Sequence, residues 1–174
     1  MRSGLIGISI PFLFWLKFAV VKNREIQLAI LLIFIIFIAY ANGISGPFFY
    51  DDFGNLERLT AVNDLSSFVQ FSLSGFAGPT GRPISLASFA FQADAWPDDP
   101  RAFLSVNVLI HVANSLILFA ISRLILKAQT ESVYDNRAMV MAFASALLWA
   151  LLPMNVSTSL ITVQRMTSLS VFFG

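Results

Sequence analysis

A long uncharged apolar run constrains this chain more than any other feature of its sequence. The segment Ile26–Asn42 (IQLAILLIFIIFIAYAN) carries no charge and is apolar on every side of a helix. That pattern is typical of a helix in lipid or in a helix-packed interior. Further apolar segments cover Ala102–Leu126 and Ala138–Leu152, and a fourth begins near Met166. We therefore predict an all-α, polytopic membrane helix bundle.

The composition favours a membrane protein over a soluble domain. Hydrophobic residues make up 57% of the chain and charged residues 12%, with a mean hydropathy of +0.76. Soluble domains carry about 25% charged residues. The net charge is +1 and no Lys/Arg-rich block is present, so nucleic acid is not an expected partner. The lack of cysteine excludes disulfides, thiolate metal sites and a Cys nucleophile.

The two ends of the chain need separate interpretations. Residues 1–25 form an N-terminal segment in which Leu5–Val21 is apolar but contains Pro11 and Lys17. This stretch suits an extra span, an interfacial helix or an uncleaved signal-like segment. At the other end, the last apolar segment is too short for a crossing, which needs about 20 residues. We therefore expect residues 26–174 to be the incomplete N-terminal part of a longer membrane domain.

Charge predicts the orientation of the spans. Acidic residues outnumber basic residues in the connection 43–101, whereas bases precede the first span and separate the second from the third. Because basic flanks stay on the cytoplasmic side, loop 43–101 is expected to be periplasmic in a bacterial inner membrane. The bases that predict this orientation are Lys22, Arg24, Arg123, Lys127 and Arg137.

The connection 43–101 is too long for a simple linker, and long structured loops are often functional. Apolar residues recur at helical spacing in Asp64–Leu73, with Asp64 as N-cap, which predicts a short amphipathic helix on the membrane surface. The segment Pro83–Ala93 suits a second interfacial helix or a re-entrant piece. Between them, Gly75–Pro83 is rich in turn residues.

Adjacent carboxylates provide the first candidate for chemistry. Asp51 and Asp52 follow Tyr50 shortly after the first span. Such a pair can act as a general base, hold a divalent cation or bind substrate hydroxyls. It can equally be a solvated acidic turn that caps a helix. No resident cofactor follows from the sequence, and a cation at this pair stays open.

Two arginines and Gln164 in the predicted outer segments are candidates for substrate binding. Arg82 lies between Gly81 and Pro83, and Arg165 follows Gln164 without an acid nearby in sequence. A guanidinium binds anions through paired N–H groups. Arg165 therefore needs a partner from elsewhere, such as a carboxylate or a lipid phosphate. Either arginine can instead be an ordinary interfacial anchor.

A polar stripe runs along the second span. Asn107, His111 and Asn114 are spaced by four and three residues, which places them on one helix face. Polar side chains at membrane depth either line a cavity, where these three are candidates for substrate binding, or join helices by hydrogen bonds, and both alternatives stay open. His111 is the only histidine, so a multi-His metal site is excluded and no metal ligand is assigned.

Five short motifs follow one another in the order and spacing of a known family. The motifs are Phe49-Tyr50-Asp51-Asp52, Gly81-Arg82-Pro83-Ile84-Ser85, Asn107-Val108-Leu109-Ile110-His111-Val112-Ala113-Asn114, Leu152-Pro153-Met154-Asn155-Val156-Ser157-Thr158 and Val163-Gln164-Arg165-Met166-Thr167. Over roughly residues 26–174, the chain therefore resembles the N-terminal part of GT-C-type glycosyltransferases. The resemblance is to bacterial O-mannosyltransferase-like membrane proteins with C-terminal tetratricopeptide repeats.

The resemblance implies a multi-helix bundle whose first outer loop carries the catalytic acid. It also implies a polyprenyl-phosphate sugar as donor, and a hydroxyl of a protein or glycan outside the cytoplasm as acceptor. Carried over by position, Asp51 or Asp52 would be the base. Arg82 and Arg165 would contact the donor phosphate or substrate, and His111 would shape the cavity.

The chain departs from this family at two positions. Many relatives have His-Pro where this chain has Leu152-Pro153, and a Glu where it has Ser157. Acceptor or metal binding through those positions would therefore differ here. The competing hypothesis is a non-catalytic membrane module (a scaffold, a transporter half or an inactive remnant) in which the stripe is packing and the acids are solvated.

Overall fold

The computed structural model describes residues 10–74, 82–129 and 135–173, with side chains from residue 24 onward. Every regular element in these ranges is helical, which confirms the all-α prediction. Short 3₁₀ turns connect several of the helices. The α-helices in chain order are α1 (Ile10–Tyr40), α2 (Tyr50–Leu56), α3 (Leu65–Ser72), α4 (Pro83–Ala90), α5 (Pro100–Ala128), α6 (Asp135–Ala150), α7 (Pro153–Leu160) and α8 (Arg165–Phe173).

Helix α1 joins two segments that the sequence treats separately. Its 31 residues run without a break through the boundary placed between residues 25 and 26. The described part of Leu5–Val21 is therefore the beginning of the same helix, and residues 5–9 lie outside the described residues. At 1.5 Å per residue the helix is about 46 Å long, more than the about 30 Å of a bilayer core.

Helix α5 is, within the described ranges, the one helix long and apolar enough to cross a membrane on its own. Pro100 occupies its first turn, where proline costs no hydrogen bond, and Asp99 caps it by accepting from the Arg101 N–H at 3.1 Å. Helices α6 and α7 qualify only as a pair, with a 62° bend between them. Such a pair forms a broken span or a re-entrant loop.

Small residues allow α6 to pack closely on α5. The four alanines that recur every fourth residue along one α6 face are all buried, whereas Ala144 on the opposite face is exposed. Without bulk at these positions, the two backbones approach closely. The core built on this seam contains Leu32, Ile36, Tyr40, Val108, Val112, Phe119, Ala142, Ala146 and Ala150.

Ion pairs tie three helices together at one end of the bundle, which we name the charged end. The buried Arg123 of α5 donates from Nε to Glu25 of α1 at 3.1 Å and from Nη2 to Asp135 of α6. Arg24 donates to the Asn136 side chain at 3.1 Å. These contacts fix how the ends of α1, α5 and α6 meet.

The connection between α1 and α5 folds over the opposite end, which we name the loop end. Helix α3 begins where the sequence predicts it, because Asp64 accepts from the Ser67 N–H at 2.7 Å as N-cap. Helix α4 begins at Pro83, and the turn-rich segment before it lies outside the described residues except for Arg82 and Pro83. The core of the loop end contains Leu56, Leu59, Phe71, Leu86, Phe89, Ala90, Trp96, Phe103 and Met166.

Candidate functional site

The two adjacent acids have opposite environments. Both lie in the first turn of α2, where consecutive residues are about 100° apart around the helix axis. Asp51 is exposed, whereas Asp52 has no exposed surface. The Asp52 carboxylate accepts from the Phe49 N–H at 2.8 Å and from the Val163 N–H at 2.7 Å. The two carboxylates therefore do not form one binding site, because one faces solvent and the other faces the protein interior.

Burial raises the pKa of Asp52, because the ionised carboxyl loses water on leaving solvent. Hydrogen bonds from backbone N–H groups oppose this shift, since they favour the charged form, and the nearby Asp51 charge adds slightly to it. Desolvation is the largest of these effects. Asp52 is thus a buried carboxyl whose oxygens are held by the main chain.

Arg165 lies at the centre of the loop end and is fully buried. Its Nε donates to Asn107 Oδ1 at 2.7 Å, its Nη1 to the Ser88 carbonyl at 3.0 Å and its Nη2 to the Phe103 carbonyl at 2.9 Å. Its guanidinium carbon lies 4.4 Å from the centre of the Phe89 ring, which adds a cation–π contact. Arg165 therefore joins α8 to α4 and α5.

Asn107 completes the support of the segment 161–165, which we name the 161–165 turn. Its amide nitrogen donates to the Ile161 carbonyl at 3.0 Å and the Thr162 carbonyl at 3.3 Å, while its oxygen accepts from Arg165. Both ends of this short turn are thus fixed to α5. The Asp52 carboxylate binds the middle of the same turn at Val163.

The other members of the polar stripe bind neighbouring helices. His111 Nε2 lies 3.0 Å from the Ala150 carbonyl oxygen, to which the Tyr40 hydroxyl also donates at 2.9 Å. The imidazole packs between the Tyr40 and Trp149 rings. Asn114 Nδ2 donates to the Ser168 carbonyl at 3.0 Å. The stripe therefore faces the bundle interior and binds carbonyl groups of α6, of α8 and of the 161–165 turn.

The remaining predicted residues are more accessible. Arg82 is exposed and caps α4 with a left-handed backbone, at φ 44°. Its neighbour Gly81 lies outside the described residues. Gln164 is half-buried, and its side-chain oxygen accepts from the Thr167 hydroxyl at 2.9 Å. These two residues and Asp51 are the predicted site residues that solvent or a ligand can reach.

The structure corrects two interpretations of the charged residues. Arg165 was expected to need a carboxylate or a lipid phosphate, yet its partners are two carbonyls, an amide and aromatic rings. Sequence reasoning missed Ser88 and Phe103 because their shortest hydrogen bonds to Arg165 use main-chain carbonyls, which carry no sequence signal. The metal-ligand role for Asp51 with Asp52 also fails geometrically, because Asp52 is turned inward and occupied.

Most of the predicted site residues are buried. Direct contact between a substrate and the buried residues would require breaking the hydrogen bonds described above. Their substrate-binding role therefore stays a prediction, and the contacts observed are hydrogen bonds within the protein. Among the described residues, no cluster of three or more His, Cys, Asp or Glu side chains is arranged to hold a metal ion. The buried predicted residues are Asp52, Asn107, His111, Asn114 and Arg165.

Comparison with known proteins adds no family to these observations. No family model matches the chain, and neither a curated protein nor a solved structure matches it. What the chain does must therefore be inferred from its residues and their arrangement.

Proposed function

We propose that this protein serves, in a bacterial inner membrane, as the catalytic part of a GT-C-like glycosyltransferase. It would move a sugar from a polyprenyl-phosphate donor to a hydroxyl of a protein or glycan on the periplasmic side. Helices α1 and α5 and the bent pair α6–α7 would be its crossings, which makes the chain polytopic. The long connection between α1 and α5 would be periplasmic.

The convergence of distant motifs carries this proposal. The acid motif at 49–52 contacts the 161–165 turn through Asp52, and that turn binds Asn107 of the polar stripe. Arg165 then reaches the Ser88 carbonyl on α4, the helix that Arg82 caps. Three sequence-distant motifs are thus linked by hydrogen bonds at the loop end, and the fourth begins the helix that Arg165 contacts. A connected polar cluster of this kind supports one functional unit more than unrelated surface features.

Asp51 is the group best placed to act as general base. It is the exposed member of the acid pair, on a helix anchored by its buried neighbour. In the proposed reaction the acceptor oxygen attacks the anomeric carbon as Asp51 takes its proton. The bond from that carbon to the phosphate oxygen breaks, and the polyprenyl phosphate leaves with the electron pair. The exposed Arg82 would bind the phosphate charge.

Sugar transfer by the intact gene product in membranes tests this assignment. With a radiolabelled polyprenyl-phosphate sugar, Asp51→Asn is expected to lower transfer by about 10²–10⁴-fold, the usual loss when a general base is removed. The matched control is Asp98→Asn, another exposed acid of the same connection. Equal rates of sugar transfer by the wild type and Asp51→Asn would contradict the assignment of Asp51 as general base.

The internal pairing of the polar stripe favours a second candidate, a non-catalytic membrane module. Asn107, His111 and Asn114 all bind carbonyl groups within the bundle, as packing residues do. This alternative expects no sugar transfer by the wild-type protein with any polyprenyl-phosphate sugar. It also expects that substitution of Asp51 leaves the protein's abundance and partners unchanged.

A further inference from the structure

We propose that Asp52 is a positioning residue whose carboxylate latches α2 onto the 161–165 turn and so fixes the direction in which Asp51 faces. This inference rests on the proposed function, because it assigns Asp51 the reactive role. It differs from that proposal in giving the buried acid a task of its own. The latch is the Asp52 carboxylate together with the Phe49 and Val163 N–H groups.

The latch spans a large distance in the chain and a very short one in space. Asp52 and Val163 are 111 positions apart, and the carboxylate oxygen lies 2.7 Å from the Val163 nitrogen. The second carboxylate oxygen closes the start of α2 through Phe49. One side chain thus fixes both the beginning of the helix and its place against the turn.

Helix α2 depends on such an anchor. It has seven residues, fewer than an isolated helix needs to persist in water. Its buried side chains are Asp52 and Leu56, and the half-exposed Phe53 packs against Trp96, so the latch adds a hydrogen-bonded attachment to these apolar contacts. Asp51 is adjacent to Asp52, and any tilt of the first turn moves the Asp51 carboxylate directly.

The other side of the latch is firmly held. The 161–165 turn is bound at Ile161 and Thr162 by Asn107, and at Arg165 by carbonyls of Ser88 and Phe103. Asn107 and Phe103 belong to α5, and Ser88 belongs to α4. The latch therefore fixes α2, and with it Asp51, relative to helices α4 and α5.

A carboxylate suits this task for a specific chemical reason. Two N–H donors point at the Asp52 side chain from opposite segments, and an ionised carboxylate offers acceptors on both oxygens. Asparagine would turn an NH₂ group toward one of those donors. Alanine would leave both N–H groups without their partner. Neither replacement holds the two segments together.

A cysteine reporter tests the latch without any assay of activity. The chain contains no cysteine, so a single one is unambiguous. Thr162 is fully buried next to the latch and its hydroxyl has no hydrogen-bond partner among the described residues, so Thr162→Cys disturbs little. We expect this cysteine to resist a membrane-impermeant maleimide in the parent chain. Adding Asp52→Ala should raise its labelling rate at least tenfold, whereas adding Asp51→Ala should not.

A covalent replacement of the latch tests its link to the reaction. Asp52→Ala should lower kcat about 10²-fold with little change in KM, as misplacement of a reacting group does. Cysteines at Asp52 and Val163, joined by a short thiol cross-linker, restore the connection without a carboxylate. Transfer should then return to within a fewfold of wild type. The same cross-linked pair with Asp51→Asn should stay inactive.

The outcomes separate the latch from the proposed function. Unchanged labelling of Thr162→Cys on loss of Asp52 overturns the latch, as does a cross-linked pair that stays inactive while Asp51 is intact. Should Asp52→Ala fail to accumulate, Asp52→Asn replaces it in both experiments with the same expectations. A wild-type protein without sugar transfer overturns the role of the latch toward Asp51 together with the proposed function, while the labelling still reports whether α2 is latched.

Discussion

At the scale of single residues, burial separates side chains that are equivalent in the sequence. Asp51 and Asp52 are neighbours of identical chemistry, yet one faces solvent and the other binds two main-chain N–H groups. Arg82 and Arg165 differ in the same way: one is exposed and the other is enclosed by carbonyls and aromatic rings. The exposed member of each pair is suited to a ligand, and the buried member to holding the structure.

The raised pKa of Asp52 predicts the sign of its effect on stability against pH. A carboxyl whose folded-state pKa lies above its unfolded value contributes stability below that unfolded value, about 3.9, and loses it as pH rises through the folded pKa. Thermal unfolding in detergent should therefore show wild type losing stability relative to Asp52→Asn as pH increases above about 4.

Asp64 provides a control of opposite sign for that experiment. Hydrogen bonds from Ser67 lower the pKa of Asp64, so its contribution is present above the unfolded value and is lost as pH falls through the folded pKa. Asp64→Asn keeps a capping oxygen but does not titrate. A parallel pH dependence for the Asp52 and Asp64 variants would contradict the assignment of the two environments.

Replacement of Arg165 tests whether the hydrogen bonds of its guanidinium group stabilise the fold. Arg165→Lys removes the forked geometry that reaches Asn107, Ser88 and Phe103 at once. Each buried acceptor left unpaired costs about 1–3 kcal/mol, so a marked fall in the unfolding midpoint is expected. Arg101→Lys, at an exposed position, is the matched control. Equal midpoints for the two variants would show that the buried hydrogen bonds contribute nothing.

At the scale of helices, close packing explains why α6 is rich in alanine. Three of the buried alanines lie in the core that α6 shares with α1 and α5, and the described helix has 16 residues before the bend into α7. The sequence predicted this span at 138–152, and α6 ends at Ala150 because Pro153 begins the tilted α7. A polar side chain supports the bend: Asn155 Nδ2 donates to the Trp149 carbonyl at 2.6 Å.

A matched pair of alanine substitutions measures this packing. Ala146→Leu adds bulk at a position with no exposed surface, and overpacking costs about 1–3 kcal/mol. Ala144→Leu makes the same change on the exposed face of the same helix. Only Ala146→Leu should lower the unfolding midpoint in detergent. Equal effects would mean that α6 does not pack on α5 through this face.

At the scale of the whole molecule, charge and polarity divide the bundle into two ends. The charged end holds Arg123 between Glu25 and Asp135, and the loop end holds Arg165 without a carboxylate among its described partners. Bases outnumber acids at the charged end, as they do on the cytoplasmic side of membrane proteins, whereas acids outnumber bases at the loop end. The loop end is thus the expected site of periplasmic chemistry.

Cysteine labelling at the two ends of α5 tests this orientation. Because the chain has no cysteine of its own, Asp98→Cys and Lys127→Cys each introduce one exposed thiol. In spheroplasts an impermeant maleimide should label Asp98→Cys and leave Lys127→Cys unlabelled until the membrane is permeabilised. Labelling of both residues from the same side would mean that α5 does not cross the membrane.

Local patterns in the sequence were sufficient for the helical class, the bounds of α5 to within two residues at each end, the N-cap at Asp64 and the common face of Asn107, His111 and Asn114. These features depend on hydrophobic periodicity and on short-range hydrogen bonds, which neighbouring residues determine. The tertiary structure alone decided which acid is buried and what surrounds Arg165. Their partners are main-chain groups from distant segments, such as the Val163 N–H and the Phe103 carbonyl. Every residue carries such groups, so only packing of the helices selects which of them meet a given side chain.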